Sequence, residues 1–212
     1  MKSVFYWLVA GFFRIMLLVY NRLQVTGLER ALSVKPPIII AANHCSNLDP
    51  IVIGAAFPRR LRYLAKSELF SFPPFGFAIR SLGAVPAKRD DLQGAAGALK
   101  FLLERINKGE SVLLFPEGQR SPDGSLQPLE GGAGLLAAKT GVPVVPAYVH
   151  GTFEALPRES SRYRPVRIRL VFGDPIYPAG IKGVPVKELR QKITEKLENS
   201  LRKLEGELSV DR

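Results

Sequence analysis

His44 and Asp49 stand in the run Asn43-His44-Cys45-Ser46-Asn47-Leu48-Asp49-Pro50. An imidazole that titrates near neutrality can take a proton from a hydroxyl, and a carboxylate can fix its tautomer and stabilise the imidazolium that forms. The pair has no nucleophile of its own, so it suits the hydroxyl of a substrate. The plainer alternative is a structural histidine beside a helix-capping aspartate. Cys45 adjoins His44, but adjacent side chains rarely point the same way and direct transfer needs no acyl-cysteine. Further on, Phe115-Pro116-Glu117-Gly118-Gln119-Arg120-Ser121 sets a carboxylate and a guanidinium in a Pro/Gly turn. Gly83-Ala84-Val85-Pro86-Ala87-Lys88-Arg89 ends in paired cations.

Short apolar runs deliver these groups. Apolar, β-branched stretches predict strands over 38–42, 61–65, 83–86, 111–115, 142–149 and 166–172. Arg167 and Arg169 alternate with Ile168, Leu170 and Phe172, which predicts a one-sided or edge strand there. Apolar residues at i, i+3, i+4 and i+7 predict a helix over 91–107, capped by Asp90 or Asp91. Further helices are expected over 132–139, ending at Gly141, and over 186–205. Asp49 suits an N-cap and Pro50 the first helical position, so His44 lies at a strand-to-helix junction. The alternation predicts an α/β fold, a mixed central sheet flanked by helices.

The chain has 212 residues, a formal charge of +11 and 46% hydrophobic residues, enough for one full core. One cysteine excludes an internal disulfide, and with two histidines in the chain no metal site is expected. The charge favours a polyanion, either nucleic acid or an anionic membrane. The first residues favour the membrane. A helix over 4–20 is almost wholly apolar, but it reaches only about 25 Å against the ~30 Å hydrocarbon core and carries Arg14 near its middle. An interfacial placement is expected, with a single span or a buried core helix as alternatives. The chain accordingly divides into a membrane-anchoring segment, 1–27, and an α/β domain, 28–212. A nucleic-acid-binding domain gives no reason for such a helix, and no nucleic-acid partner is expected. Arg158, Arg162, Arg164, Arg167 and Arg169 form either a membrane-facing patch or a solvated surface.

Asn-His-x4-Asp, Gly-Ala-Val-Pro-Ala-Lys-Arg, Phe-Pro-Glu-Gly-Gln-Arg-Ser and Val142-Pro143-Val144-Val145-Pro146 together resemble the four blocks of the PlsC-like glycerolipid acyltransferases, over about residues 38–176. Where the family usually has Thr, this chain has Gln119. The resemblance implies transfer of a fatty acyl group from acyl-CoA or acyl carrier protein to 1-acyl-glycerol-3-phosphate, at the cytoplasmic face of the cell membrane, with no cofactor beyond that co-substrate. It implies His44 as base, Asp49 as its orienter, and Arg89 and Arg120 as ligands of the acceptor phosphate. Lys66 is a further candidate cation. Glu117 is expected either to bond acceptor hydroxyls or to hold Arg120, and Gly118 to serve the backbone. Other acceptors, including lyso-ornithine lipid, other lysophospholipids and glycerol-3-phosphate, remain alternatives. His150 reads as structural.

Overall fold

The computed structural model describes residues 2–87, 95–157, 160, 162–181 and 183–210. In chain order the elements are α1 (Lys2–Tyr20), β1 (Gln24–Thr26), α2 (Leu28–Leu32), β2 (Ile39–Ala42), α3 (Asp49–Ala56), β3 (Leu61–Lys66), α4 (Pro73–Ser81) and β4 (Ala84–Ala87). They continue with α5 (Ala95–Asn107), β5 (Ser111–Leu114), α6 (Gly132–Thr140), β6 (Val144–His150), α7 (Thr152–Ala155), β7 (Arg169–Phe172) and α8 (Val186–Val210).

The strands form one seven-stranded sheet in the order β1-β7-β6-β2-β5-β3-β4. β2 pairs in parallel with both β5 and β6, and β3 pairs in parallel with β5 and β4. β7 runs antiparallel to β6, and β1 runs parallel to β7. Every residue of β2 and β5 is buried. That is why these strands read as unbroken apolar runs: a parallel strand covered by helices on both faces has no polar side.

Successive residues of β2 serve opposite cores. Ile40 and Ala42 join Leu113, Val145, Phe172 and the buried residues of α1 and α3. Ile39 and Ala41 join Val112, Val144 and the buried residues of α5, α6 and α8. The fold is therefore helix, sheet, helix in three layers, and all the parallel strands end on one edge.

Several expectations change. β7 is an interior strand, because Gln24–Thr26, which reads only as a connector, pairs along its outer side as edge strand β1. Leu170 and Phe172 of β7 are buried in one core and Val171 in the other, so its arginine–apolar alternation does not mark a wet face. α3 begins at Asp49 itself, and Leu48 takes the N-cap position. α5 is described from Ala95, while Asp90 and Asp91 lie outside the described residues. α8 runs on past 205 because Leu208 continues the buried stripe of Leu197, Leu201 and Leu204. α6 ends as expected, at a left-handed Gly141 with φ 71°.

α1 buries one stripe, Tyr6, Ala10 and Leu17, in the shared core. Leu8, Phe12, Ile15 and Val19 remain exposed, each by more than 60%. Neither a freely solvated anchor nor a wholly buried helix describes it. Among the described residues no helix is long and apolar enough to cross a membrane. β1, which lies within residues 1–27, pairs with β7 and belongs to the sheet. Arg158 lies outside the described residues. Of the other arginines in that run, Arg162, Arg164 and Arg167 are exposed, whereas Arg169 donates to the Leu208 carbonyl at 2.7 Å and ties β7 to the end of α8.

Candidate active site

The site forms at the C-terminal ends of β2, β5 and β6, the usual place for a crevice in an open parallel sheet. β2 is central. Its chain continues through Asn43, whose buried side chain donates to the Val149 carbonyl at 2.9 Å and accepts from the Val149 N–H at 2.7 Å. Asn43 thus extends the ladder to β6 by one more pair and fixes the backbone that carries His44.

His44 Nδ1 lies 2.8 Å from Asp49 Oδ2, with the histidine side chain 19% exposed and the aspartate wholly buried. Asp49 turns back over the loop. Its Oδ2 also accepts the N–H groups of Cys45 and Ser46, each at 2.8 Å, and its Oδ1 accepts the Thr152 hydroxyl at 2.6 Å. A buried carboxylate needs such donors to stay in place. With Nδ1–H donated to Asp49, the imidazole presents Nε2 as its basic nitrogen.

The 115–121 turn grips the same histidine in three ways. Phe115 stacks on the imidazole, with centroids 4.0 Å apart and planes 17° off parallel. Glu117 Oε1 accepts the His44 N–H at 2.6 Å, and the Ser121 N–H donates to the His44 carbonyl at 2.7 Å. The second oxygen of Glu117 accepts the Gln127 N–H at 2.9 Å. Both oxygens of this buried residue are therefore engaged by backbone N–H groups. Burial pushes the Glu117 carboxyl up to about 7, against the two backbone N–H bonds that pull it down. Gly118 follows at φ 72°, with its N–H on the Phe115 carbonyl, and a Cβ there would meet the Glu130 carboxylate at 2.6 Å. Glycine is what this turn requires.

Arg120 is half-buried, adjacent to the residue whose N–H holds the His44 carbonyl. Lys66 is the exposed last residue of β3, one strand beyond β5. Arg89 lies outside the described residues. Cys45 points to the interior, and burial followed by the nearby Asp49 charge pushes its thiol far above the ordinary range, which leaves no reactive thiolate. His150 ends β6, half-buried, two residues before Thr152.

Asn43, Phe115 and Thr152 escaped the reading of motifs. Asn43 and Phe115 each open a motif in the sequence but carry no chemical signal of their own there. Thr152 carries no spacing signal, because its position beside Asp49 is created by the β2–β6 pairing.

A family model described as Acyltransferase matches residues 22–150. The chain is 37% identical over 180 residues to the chloroplastic 1-acyl-sn-glycerol-3-phosphate acyltransferase BAT2 of Brassica napus, covering 84% of this chain and 52% of that protein. It is 28% identical over 171 residues to the 1-acyl-sn-glycerol-3-phosphate acyltransferase of Bacillus subtilis, covering 80% and 82%. The chain spans about half the length of the plant relatives it matches. The crystal structure of the 1-acyl-sn-glycerophosphate (LPA) acyltransferase PlsC from Thermotoga maritima superposes with a TM-score of 0.73 at 28% identity, over 92% of this chain and 78% of that one. On the family match and these relatives, the chain belongs to the PlsC-like acyltransferase family.

Proposed function

We propose that this protein transfers a fatty acyl group from a thioester, acyl-CoA or acyl carrier protein, to the free hydroxyl of 1-acyl-sn-glycerol-3-phosphate, forming phosphatidic acid. The observation that carries the reading is the His44–Asp49 bond of 2.8 Å, with the aspartate buried and the histidine open to the strand-end edge. Nε2 takes the acceptor's hydroxyl proton as the oxygen attacks the thioester carbonyl. The tetrahedral intermediate collapses, the carbon–sulfur bond breaks, and the imidazolium returns the proton to the departing thiolate. Asp49 stabilises the imidazolium in between. Phe115 and Glu117 keep ring and backbone at a fixed angle, so little reorganisation is needed when the acceptor arrives.

In this reading Arg120, Arg89 and Lys66 hold the acceptor phosphate, with arginine supplying a bidentate fork. No cofactor takes part. The relatives' names support the acceptor. The donor rests on the chemistry of the family resemblance alone. The exposed face of α1 lies in the membrane interface, on the cytoplasmic side where acyl thioesters are made. The positive charge of the chain adds attraction to anionic lipid.

A thioester-release assay in vesicles tests this with 1-acyl-glycerol-3-phosphate, glycerol-3-phosphate, lyso-ornithine lipid and a zwitterionic lysophospholipid. Acyl-CoA and acyl carrier protein donors are run in parallel. Turnover is expected with the first acceptor and is expected to vanish in a folded His44→Ala variant. Wild-type turnover in that variant would refute the mechanism, and preference for another acceptor would refute the substrate.

A further inference from the structure

Thr152 is wholly buried at the start of α7, just beyond the end of β6. Its hydroxyl lies 2.6 Å from Asp49 Oδ1, the carboxylate oxygen that His44 does not use. Oδ2 is held by two backbone N–H groups and by His44. The Cys45 sulfur, a weak donor, lies farther from Oδ1, at 3.9 Å. The same sulfur lies 3.2 Å from Thr152 Oγ1. Because the Thr152 proton is committed to the carboxylate, the thiol is the donor in that contact. The bonds then run in one direction, from Cys45 S–H to Thr152, from Thr152 O–H to Asp49, with His44 Nδ1–H donating to the other oxygen.

We propose that Thr152 is a positioning residue for the His44–Asp49 pair, its hydroxyl fixing the rotation of the Asp49 carboxylate so that Oδ2 stays aimed at Nδ1. The torsion at the end of an aspartate is broad. A carboxylate held at one oxygen can swing, and it carries the imidazole with it; held at both oxygens it cannot. Thr152 follows β6 at the start of α7 and Asp49 follows β2 at the start of α3, so the hydroxyl also registers the two strand ends at the point of chemistry. This inference rests on His44 being the general base of the proposed reaction.

The test compares Thr152→Val, which keeps the shape and removes the hydroxyl, with Thr152→Ser, which keeps the hydroxyl. The expected result is a loss of about tenfold or more in kcat for Thr152→Val, since small misplacements of a reacting group cost that much. KM should stay within about twofold for both substrates, and Thr152→Ser should recover most of the rate. Thr152→Ala is read in the same way if valine prevents folding. A second readout does not depend on turnover. The low-field proton signal of the His44 Nδ1–H, assigned by its loss in His44→Ala, should move or broaden in Thr152→Val and return in Thr152→Ser. An unmoved signal, or serine failing to restore the rate, overturns the inference in favour of simple packing. A signal that responds as stated in a protein without acyltransferase turnover refutes the proposed function and leaves the positioning role standing.

Discussion

Replacing Glu117 with glutamine separates a structural carboxylate from a substrate ligand. The side chain keeps its shape, but one of its two oxygens becomes an NH2 group facing a backbone N–H, either that of His44 or that of Gln127. A buried N–H left without an acceptor costs about 1–3 kcal/mol, so Glu117→Gln is expected to be about 2 kcal/mol less stable at pH 5. Wild-type stability then changes with pH in a way the variant cannot follow. The folded carboxyl stands at about 7 against an ordinary 4.5, so between those values the folded chain holds a proton that the unfolded chain has released. The contribution is fully present below pH 4.5 and is lost as pH rises through 7. Between pH 5 and pH 8 the wild type should lose about 2–3 kcal/mol from this group alone. The residue is 5% exposed, so solvent screening removes little of that figure. Glutamine does not titrate, and the gap between the two proteins should close by pH 8. Thermal unfolding of both proteins at the two pH values measures it: about 4–8 °C apart at pH 5 and nearly coincident at pH 8. A gap independent of pH refutes the titration. Unchanged stability with a raised acceptor KM refutes the clamp and returns Glu117 to the substrate.

Arg120→Ala should lower kcat/KM for the phosphate-bearing acceptor by about 2–4 kcal/mol equivalent, with the donor KM little changed; equal losses for both substrates would make Arg120 a structural residue. Leu8→Glu, Phe12→Glu and Ile15→Glu together change the exposed face of α1 and spare its buried stripe, so flotation with anionic vesicles in high salt should fall steeply while the fold survives. Undiminished flotation would place the membrane contact elsewhere. Deleting α1 is a poorer experiment, because it also removes Tyr6, Ala10 and Leu17 from the core.

Most of the sheet was legible because its strands are buried on both faces. Such a strand announces itself as a run like Ile38-Ile39-Ile40-Ala41-Ala42, bounded by proline and a polar loop. β1 was not legible. Three residues, Gln24, Val25 and Thr26, carry no period, and their partner strand is supplied only by the tertiary fold. α4 is a short helix with Gly76 in its interior, so local propensity there is weak for a helix that packing nevertheless makes. β7 misled for another reason: the outward arginines are real, but one of them ends on α8 rather than in water. At the site, His44, Asp49 and the Glu117 turn could be seen because they are close in sequence or belong to a recognisable block. The bonds of Glu117 to the His44 and Gln127 N–H groups could not be seen, since backbone groups have no side-chain signature.

The pairing of β1 with β7 also governs how the chain comes into being. Asn21 bonds to the carbonyls of Arg164 and Val166, the latter 145 residues downstream, and β1 meets its partner strand β7 from Arg169 onward. A ribosome adding about 5–20 residues per second needs roughly 7–30 s to make that stretch. Throughout this interval α1 has been synthesised, while the strands that complete the core beneath it have not. Its buried stripe packs against α3 and α4, both made by residue 81, so that face is covered well before β7 exists. The order of synthesis therefore seats α1 on its helical neighbours early and leaves β1 waiting, its edge unpaired, until β7 arrives to close the sheet.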